Sequence, residues 1–573
     1  MASTLNLGTI KTPGVYIDEM SLFPPSVAQV DTAVPAFIGP TRQSRKDGQS
    51  IEGTPTRITS MAEYRSYFGG APDRALAVTL DANNGVQRIQ AAEGPYLYDS
   101  IQLYFANGGE KCYVVSTGNY SKDLLYDDFN NALDALKKFD EPTLIVMPDI
   151  LRMKSRRRDA YNLAVQHCHA MQDRFAILDV PMDNLYSGPP KTIQKEMEDF
   201  RNDNLISYPN YAAAYYPYLQ TSLPLTVNLS KVKVGGLSLA AAVNAAGGDG
   251  GPITDGISLG EEVAALRKLV FELDGYPTAS NKAQFAQAKL GVLTGITIAS
   301  KAGVEIINPY KSASSTLQTA ISGLTNASQA ADVDPLFGQF SRDMSRLLAQ
   351  TEQRLAEQLV TLKSTTPLYA AIVAAAEAQG AVVPPSGAIA GIYARTDADR
   401  GVWKSPANVG LTYVNGPVVA ITDAEQEDMN VDPKAGKSVN AIRAFSGKGT
   451  LVWGARTLAG SDNEWRYVSV RRFFLMAEES IKKATAQFVF EANDANTWVR
   501  VRAMIENFLT LQWRAGALAG AKADNAFFVR VGLGQTMTPQ DVLSGFMIIE
   551  IGMAVVRPAE FIVLRFAHKM QEA

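Results

Sequence analysis

Two cysteines and three histidines in 573 residues leave little for a disulfide framework or a metal centre. Cys112 and Cys168 fit a chain made in a reducing cytoplasm and read as small core residues. No stretch of about 18 uncharged apolar residues occurs, so no membrane-spanning helix and no direct membrane insertion are expected. The opening MASTLNLGTIKTPGVY has neither the basic n-region nor the apolar h-region of a secretion signal. A balance of 54 Lys+Arg against 58 Asp+Glu, net −4, excludes the strongly basic surface of a general nucleic-acid binder. The charge is uneven, however: Asn440 to Ala573 carry 16 basic and 12 acidic residues, net +4, which leaves −8 on the first 439. The C-terminal part is therefore the one suited to an acidic neighbour, by a small margin.

What is present is alternation. From Lys111 onward, short apolar runs (KCYVVST, TLIVMPD, FAILDVP, YAAAYYPYL) alternate with amphipathic stretches (DDFNNALDALKKF, RRRDAYNLAVQHCHAMQ). Short β runs separated by helices imply βαβ units and a parallel sheet covered on both faces. Between Leu223 and Lys363 the chain turns Ala-, Gly- and Ser-rich, and one long helix is predicted from Leu336, Phe340, Met344, Leu348, Leu355, Leu359 and Leu362. That region reads as an outward insertion. From about Thr422 the pattern becomes α+β. One helix places Phe473, Ala477, Ile481, Ala484 and Phe488 on one face, with Glu478/Lys482 and Glu479/Lys483 as i,i+4 pairs on another. A second, near 497–516, carries Trp498, Val501, Ile505 and Phe508. Thr538, Pro539 and Gly545 read as the N-cap, first turn and stop of a short helix, followed by strands over 546–556 and 561–566. The expected division is 1–22 as an N-terminal linking arm and start of the inner domain, 23–100 as a small β-rich segment, 101–222 with 364–421 as the α/β domain, 223–363 as a variable outer insertion, 422–558 as an inner α+β domain, and 559–573 as a C-terminal linking arm.

Motifs for chemistry do not hold together. GISLG at Gly256 to Gly260 spells a nucleophile elbow, but the preceding GGDGGPITD reads as a loop rather than a buried strand, and only His568 follows as a base. Ser258 is expected instead to cap the helix that follows. His167 and His169, two apart on a helix, point to different faces. AGKS at Ala435 to Ser438 lacks the first glycine of a phosphate loop. The run KSRRRD, Lys154 to Asp159, reads as a solvated or salt-bridged face. No catalytic, cofactor or metal residues are assigned, and the expectation is a structural protein, not an enzyme. A serine hydrolase, active or inactive, and a cell-binding component built around the insertion are the alternatives.

One feature resists a single-chain reading. Phe561 to Phe566 (FIVLRF) is apolar on both alternating faces, and an uncovered strand of this kind invites pairing with another chain. Five stretches agree, in order, with one family: KTPGVYIDEMSLFPPSVAQVDTAVPAFIG, VPPSGAIAGIYARTDADRGVWKSPAN, GTLVWGARTLAGSDNEWRYVSVRR, FEANDANTWVRVR and IEIGMAVVRPAEFIVLRF. The chain resembles contractile tail sheath proteins, the class that includes sheaths of contractile phage tails and of phage-tail-like injection systems.

The resemblance implies a subtilisin-like central α/β domain without a working triad. It implies stacked hexameric rings in a helical sheath around an inner tube, with baseplate and terminator proteins as further partners and no nucleic acid. Assembly in the cytoplasm is implied too, as part of a phage tail or tail-like particle that is in some cases released. Family sheaths exchange terminal strands between neighbours, so Leu5, Leu7, Val15, Tyr16 and Ile17 at one end and Phe561, Ile562, Val563, Leu564, Arg565 and Phe566 at the other are the expected arm strands. Met1 to Thr12, fully extended, would span roughly 40 Å, and added strands of this kind are β-augmentation between identical chains. Arg471, Arg472, Lys482 and Lys483 are a candidate tube-facing surface. Contraction needs no cofactor if the extended sheath is metastable: about 400 Å² of extra apolar burial per subunit would release on the order of 10 kcal/mol before orientation and polar costs.

Overall fold

Val114 and Val115, Leu144 to Val146, and Phe175 to Leu178 are apolar on consecutive positions and fully buried, as strands covered on both faces require. In the computed structural model they lie in a nine-stranded sheet. The model describes residues 27–563 apart from 48, 154, 184, 186–190, 204–205, 280, 314, 326–329 and 433–435. The strand order is Val409–Gly410, Gly449–Val452, Val439–Phe445, Ala212–Tyr216, Phe175–Asp179, Leu144–Val146, Pro35–Thr41, Cys112–Asn119 and Thr56–Ile58. The six from Val439–Phe445 to Cys112–Asn119 are parallel, and the outer strands are antiparallel. Counted along the chain, the parallel strands lie in the order 2-1-3-4-5-6, a doubly wound arrangement with its switch point between the first and third.

Helix Ser386–Arg400 starts in this unit, and its first half approaches helix Leu97–Ala106 backbone to backbone. A Cβ on Gly387 would collide with the Ser100 carbonyl, and one on Gly391 would sit 2.6 Å from the Tyr104 carbonyl oxygen. The two glycines, four apart on one face, set that close packing.

Two compact units divide the chain: Ala33–Arg395 with Pro406–Arg466, and Met1–Thr32 with Thr396–Ser405 and Tyr467–Ala573. The expected boundaries change accordingly. Pro35–Thr41 is an interior strand of the large sheet, not part of a separate β-rich segment. Arg74–Leu80 and Val86–Ala91 join Val227–Val234 and Leu237–Ser238 in a four-stranded sheet, so the expected insertion shares a sheet with residues far upstream. The strands Val439–Phe445 and Gly449–Val452 also belong to the larger unit, which moves the start of the C-terminal unit from 422 to Tyr467. Strand partners at long separation are set by tertiary pairing, and local periodicity does not carry that information.

Within the expected insertion, helices Gly251–Glu272, Lys282–Gly295, Lys301–Ala313 and Ala330–Thr365 share a core of their own that includes Leu266, Leu269, Leu290, Ile307, Phe340, Met344 and Leu348. Five residues of the predicted stripe on the long helix line this core, Phe340, Met344 and Leu348 buried and Leu336 and Leu355 partly buried. Ser258 needs correction: it lies inside helix Gly251–Glu272 and caps nothing. Gly and Asp argue for a loop there, but burying Ile253, Leu259, Val263 and Leu266 on one stripe outweighs their weak helix propensity. Among the described residues, no single helix is long and apolar enough to cross a membrane.

The smaller unit is built on helices Val468–Thr485 and Ala495–Arg514. Phe473, Ala477, Ile481 and Phe488 meet Val501, Ile505 and Phe508 in its core, together with Val27 and Val402. The Asp494 side chain accepts from the Thr497 amide at 3.0 Å and starts the second helix. Thr538 and Asp541 form a capping box for Pro539–Leu543. The strand expected over 546–556 is ordered as a strand only at Glu550–Met553, where it pairs antiparallel with Phe527–Arg530.

Candidate assembly surfaces

The crevice at the switch point of a doubly wound sheet is where such folds usually bind ligands. Here it holds a side chain of the protein itself. Asp149, fully buried, accepts from the amides of Tyr96 and Leu97 at 3.0 Å each, at the start of helix Leu97–Ala106. Arg152 donates to the same carboxylate at 3.3 Å. A Cβ on Gly39 would meet Asp149 Oδ2 at 2.9 Å, so any larger residue in the strand would have to displace the carboxylate. Burial raises the Asp149 pKa, while Arg152 and the two amides pull it down. The positive end of that helix, the natural seat of an anion, is thereby neutralised from within.

The other candidate chemistries disperse. Ser258 sits eight residues into a helix and not at a strand-to-helix turn, and His568 lies outside the described residues. His167 meets Arg174 at 3.0 Å, and burial followed by the Arg174 charge lowers its pKa to about 3. His169 instead stacks on Tyr208 with ring centroids 3.5 Å apart. Arg156 pairs with Asp159 at 3.0 Å and Arg157 with Asp183 in two bonds of 2.6 and 3.0 Å, the salt-bridged face expected of KSRRRD. Ala435 lies outside the described residues, and the Ser438 hydroxyl donates to the Asn430 carbonyl.

In the smaller unit, Arg471 and Arg472 do not form the exposed surface expected of them. Both are buried, at 4% and 3% exposure. Arg472 forms a two-pronged pair with Asp397 and donates to the Thr32 carbonyl at 2.8 Å. The Thr32 hydroxyl donates to Asp397 at 2.6 Å. Arg471 approaches Glu478 at 3.9 Å. Lys482 and Lys483 both reach Glu479, at 3.0 and 3.4 Å. An i,i+4 pattern cannot reveal that a third element, carrying Asp397, closes over the helix.

The ribbon Phe527–Arg530 with Glu550–Met553 has two strands among the described residues. One face, with Val529, Ile551 and Met553, covers the helical core. Around it, Phe528, Leu533, Leu543, Phe546 and Ile548 stand exposed. Two-stranded ribbons are marginal on their own, and a concentration of exposed apolar side chains marks an interaction surface. Phe561, Ile562 and Val563 are exposed at 74%, 80% and 78% and belong to no strand of this chain. Leu5, Leu7, Val15, Tyr16, Ile17, Leu564, Arg565 and Phe566 lie outside the described residues. The exposed Leu543 and Phe546 flank a capped helix, and sequence reasoning missed them because single apolar residues near a turn carry no period.

Residues 460–569 match the family model described as the phage tail sheath C-terminal domain. By this match the C-terminal part of the chain is similar to tail sheath proteins. The chain is 32% identical over 145 residues to the tail sheath protein of Burkholderia phage BcepMu, a match covering 24% of this chain and 30% of that protein. The matched segments thus span less than a third of such relatives. Likeness to solved sheath structures runs further. The sheath complex of the extracellular contractile injection system PVC, in its contracted state, matches at 25% identity and TM-score 0.54, over 98% of both chains. The contracted helical sheath of the anti-feeding prophage matches at 25% identity and TM-score 0.53, over 98% of this chain and 100% of that one. These relatives are structural proteins of contractile particles and not enzymes.

Proposed function

We propose that this chain is a sheath subunit of a contractile injection machine, within a phage tail or tail-like particle. The observation that carries the reading is the tail sheath C-terminal domain set in a chain that follows contracted sheath subunits over 98% of its length. Subunits would stack as hexameric rings in a helix around an inner tube, beside baseplate and terminator proteins, after assembly in the cytoplasm. The larger unit would be a subtilisin-like α/β layer without a triad; its parallel strands and its internally filled crevice support that reading.

Assembly would proceed by strand exchange. Phe561 to Phe566 of one subunit, and the segment containing Leu5, Leu7 and Val15 to Ile17 of another, would extend the ribbon of a third. The exposed apolar rim of the ribbon supports this. For tube contact the surface would use Lys482 and Lys483, with side-chain exposures of 72% and 42%. Electron micrographs of the purified full chain test the reading: helical tubes or striated sheaths are expected, and discrete monomers under all conditions would refute it.

A further inference from the structure

Three cations converge on one hollow of the smaller unit. A cavity of ≈ 350 Å³ is lined by Arg400, Lys404 and Arg557 with Trp403 and no carboxylate. All three basic residues are exposed, and none has an ion-pair partner among the described residues. Holding three like charges around a concave surface is unfavourable without a counter-charge, and concave walls strengthen the field toward an incoming anion. The indole of Trp403, packed edge-on against Phe473 at 6.4 Å, gives the hollow a rigid floor.

The larger unit carries the opposite feature. A cavity of ≈ 490 Å³ is lined by Glu198, Glu425, Asp428 and Asp432, with Arg201 as its base. Arg201 donates to the carbonyls of Lys437, Asp428 and Met429 and pairs with Asp432 at 3.5 Å. The adjoining helix Asp423–Asn430 holds four acids and no base in its first six residues, DAEQED. It is capped so that Glu425 serves the helix start, which leaves the Glu198 and Asp428 carboxylates to face outward without an ion-pair partner among the described residues.

We infer that the Arg400/Lys404/Arg557 cavity is a carboxylate-binding site, and that its occupant is the acidic face around Glu198 and Asp428 of a second copy of this chain. The two surfaces differ, so the contact is head to tail. A heterologous contact of this type propagates as a ring or a helix and does not close as a dimer. The inference rests on the sheath reading above and adds to it a named, charge-matched contact. Arg557 and Pro558 line the cavity immediately before the expected C-terminal arm, so filling the cavity would also fix the point from which that arm departs.

The test is a charge exchange in the full chain. Lys404→Glu with Arg557→Glu reverses one side, Glu198→Lys with Asp428→Lys reverses the other, and the fourfold variant carries both. Lys404→Gln with Arg557→Gln serves as a milder version. Dichroism and thermal unfolding of the monomer check that each still folds. The readout is the critical concentration for tube formation, by light scattering and micrographs, at about 0.05 M and about 0.5 M salt. Each reversal is expected to raise it at least about tenfold and to weaken its salt dependence, and the fourfold variant should return close to the parent. Reversals that assemble like the parent, or a fourfold variant no better than either half, would overturn the contact while leaving the sheath reading intact. A parent chain that never forms tubes removes both.

Discussion

Removing the Arg472 guanidinium should open the smaller unit from inside. Arg472 and Asp397 have side-chain exposures of 3% and 7%, so Arg472→Met would leave a buried carboxylate with only the Thr32 hydroxyl to answer it. An uncompensated buried charge costs about 3–5 kcal/mol. The segment 27–32 would loosen with it, because Thr32 is held through this pair and Val30 through its amide bond to Ser480 at 3.1 Å. Hydrogen exchange of helix Val468–Thr485 in the monomer reads the loss locally. At 1.4 kcal/mol per decade, exchange there should accelerate about 100- to 4000-fold. Asp397→Asn in the same chain removes the stranded charge, and the double variant should recover more than half of the loss. Lys482→Met, on the same helix at 72% side-chain exposure, should change exchange less than about fivefold. An Arg472→Met protein that exchanges like the parent would refute the buried role and return the residue to the surface.

Asp179 is buried, and that burial pushes its pKa up to about 7 although the Ser386 amide and hydroxyl donate to it at 2.7 and 2.6 Å. The unfolded carboxyl ionises near its ordinary value of about 4, so stability contributed by the protonated form is full below that and is lost as pH rises toward 7, at up to about 1.4 kcal/mol per pH unit. Asp179→Asn should flatten this part of the stability–pH profile in denaturant titrations; an unchanged slope relative to the parent would count against it. Gly391→Val should force helix Ser386–Arg400 away from Tyr104 and cost about 1–3 kcal/mol, which for a unit of this size lowers the thermal midpoint by about 1–3 degrees, whereas Gly260→Val, which meets open space, should cost less than about 1 kcal/mol. Deleting Phe561 to Ala573 should leave monomer stability near the parent value, since Phe561, Ile562 and Val563 are exposed, yet abolish tubes in micrographs; normal sheaths from the truncated chain would end the arm proposal.

What could be read in advance follows the range of the interactions involved. Periods of 3.6 and 2 are local, so the core face of Val468–Thr485, the long helix through Phe340 and Met344, and the parallel strands were legible. The cap at Thr538 was legible because its partners are three residues apart. Partners across hundreds of residues were not. Nothing around Pro35–Thr41 says that Leu144–Val146 will lie on one side of it and Cys112–Asn119 on the other, nor that Asp397 will reach Arg472. The same limit misassigned the charges: Arg471 and Arg472 looked like a surface because two adjacent arginines usually are one.

The sites themselves differ in kind from those of an enzyme, and this is why motif reading failed on them. An active site is completed within a chain, so its residues leave a spacing or a perturbed cluster to find. In this chain the crevice at the switch point of the large sheet is filled by Asp149 from within. The features left over are halves: a ribbon with exposed apolar residues, a hollow with three cations, and an acidic face. Each half lacks a complement among the described residues of its own unit, and under the proposals above each would find one on a second copy. Incompleteness of this sort destabilises a monomer, and it is what a head-to-tail assembly requires, because every contact satisfied at one end leaves the same contact open at the other.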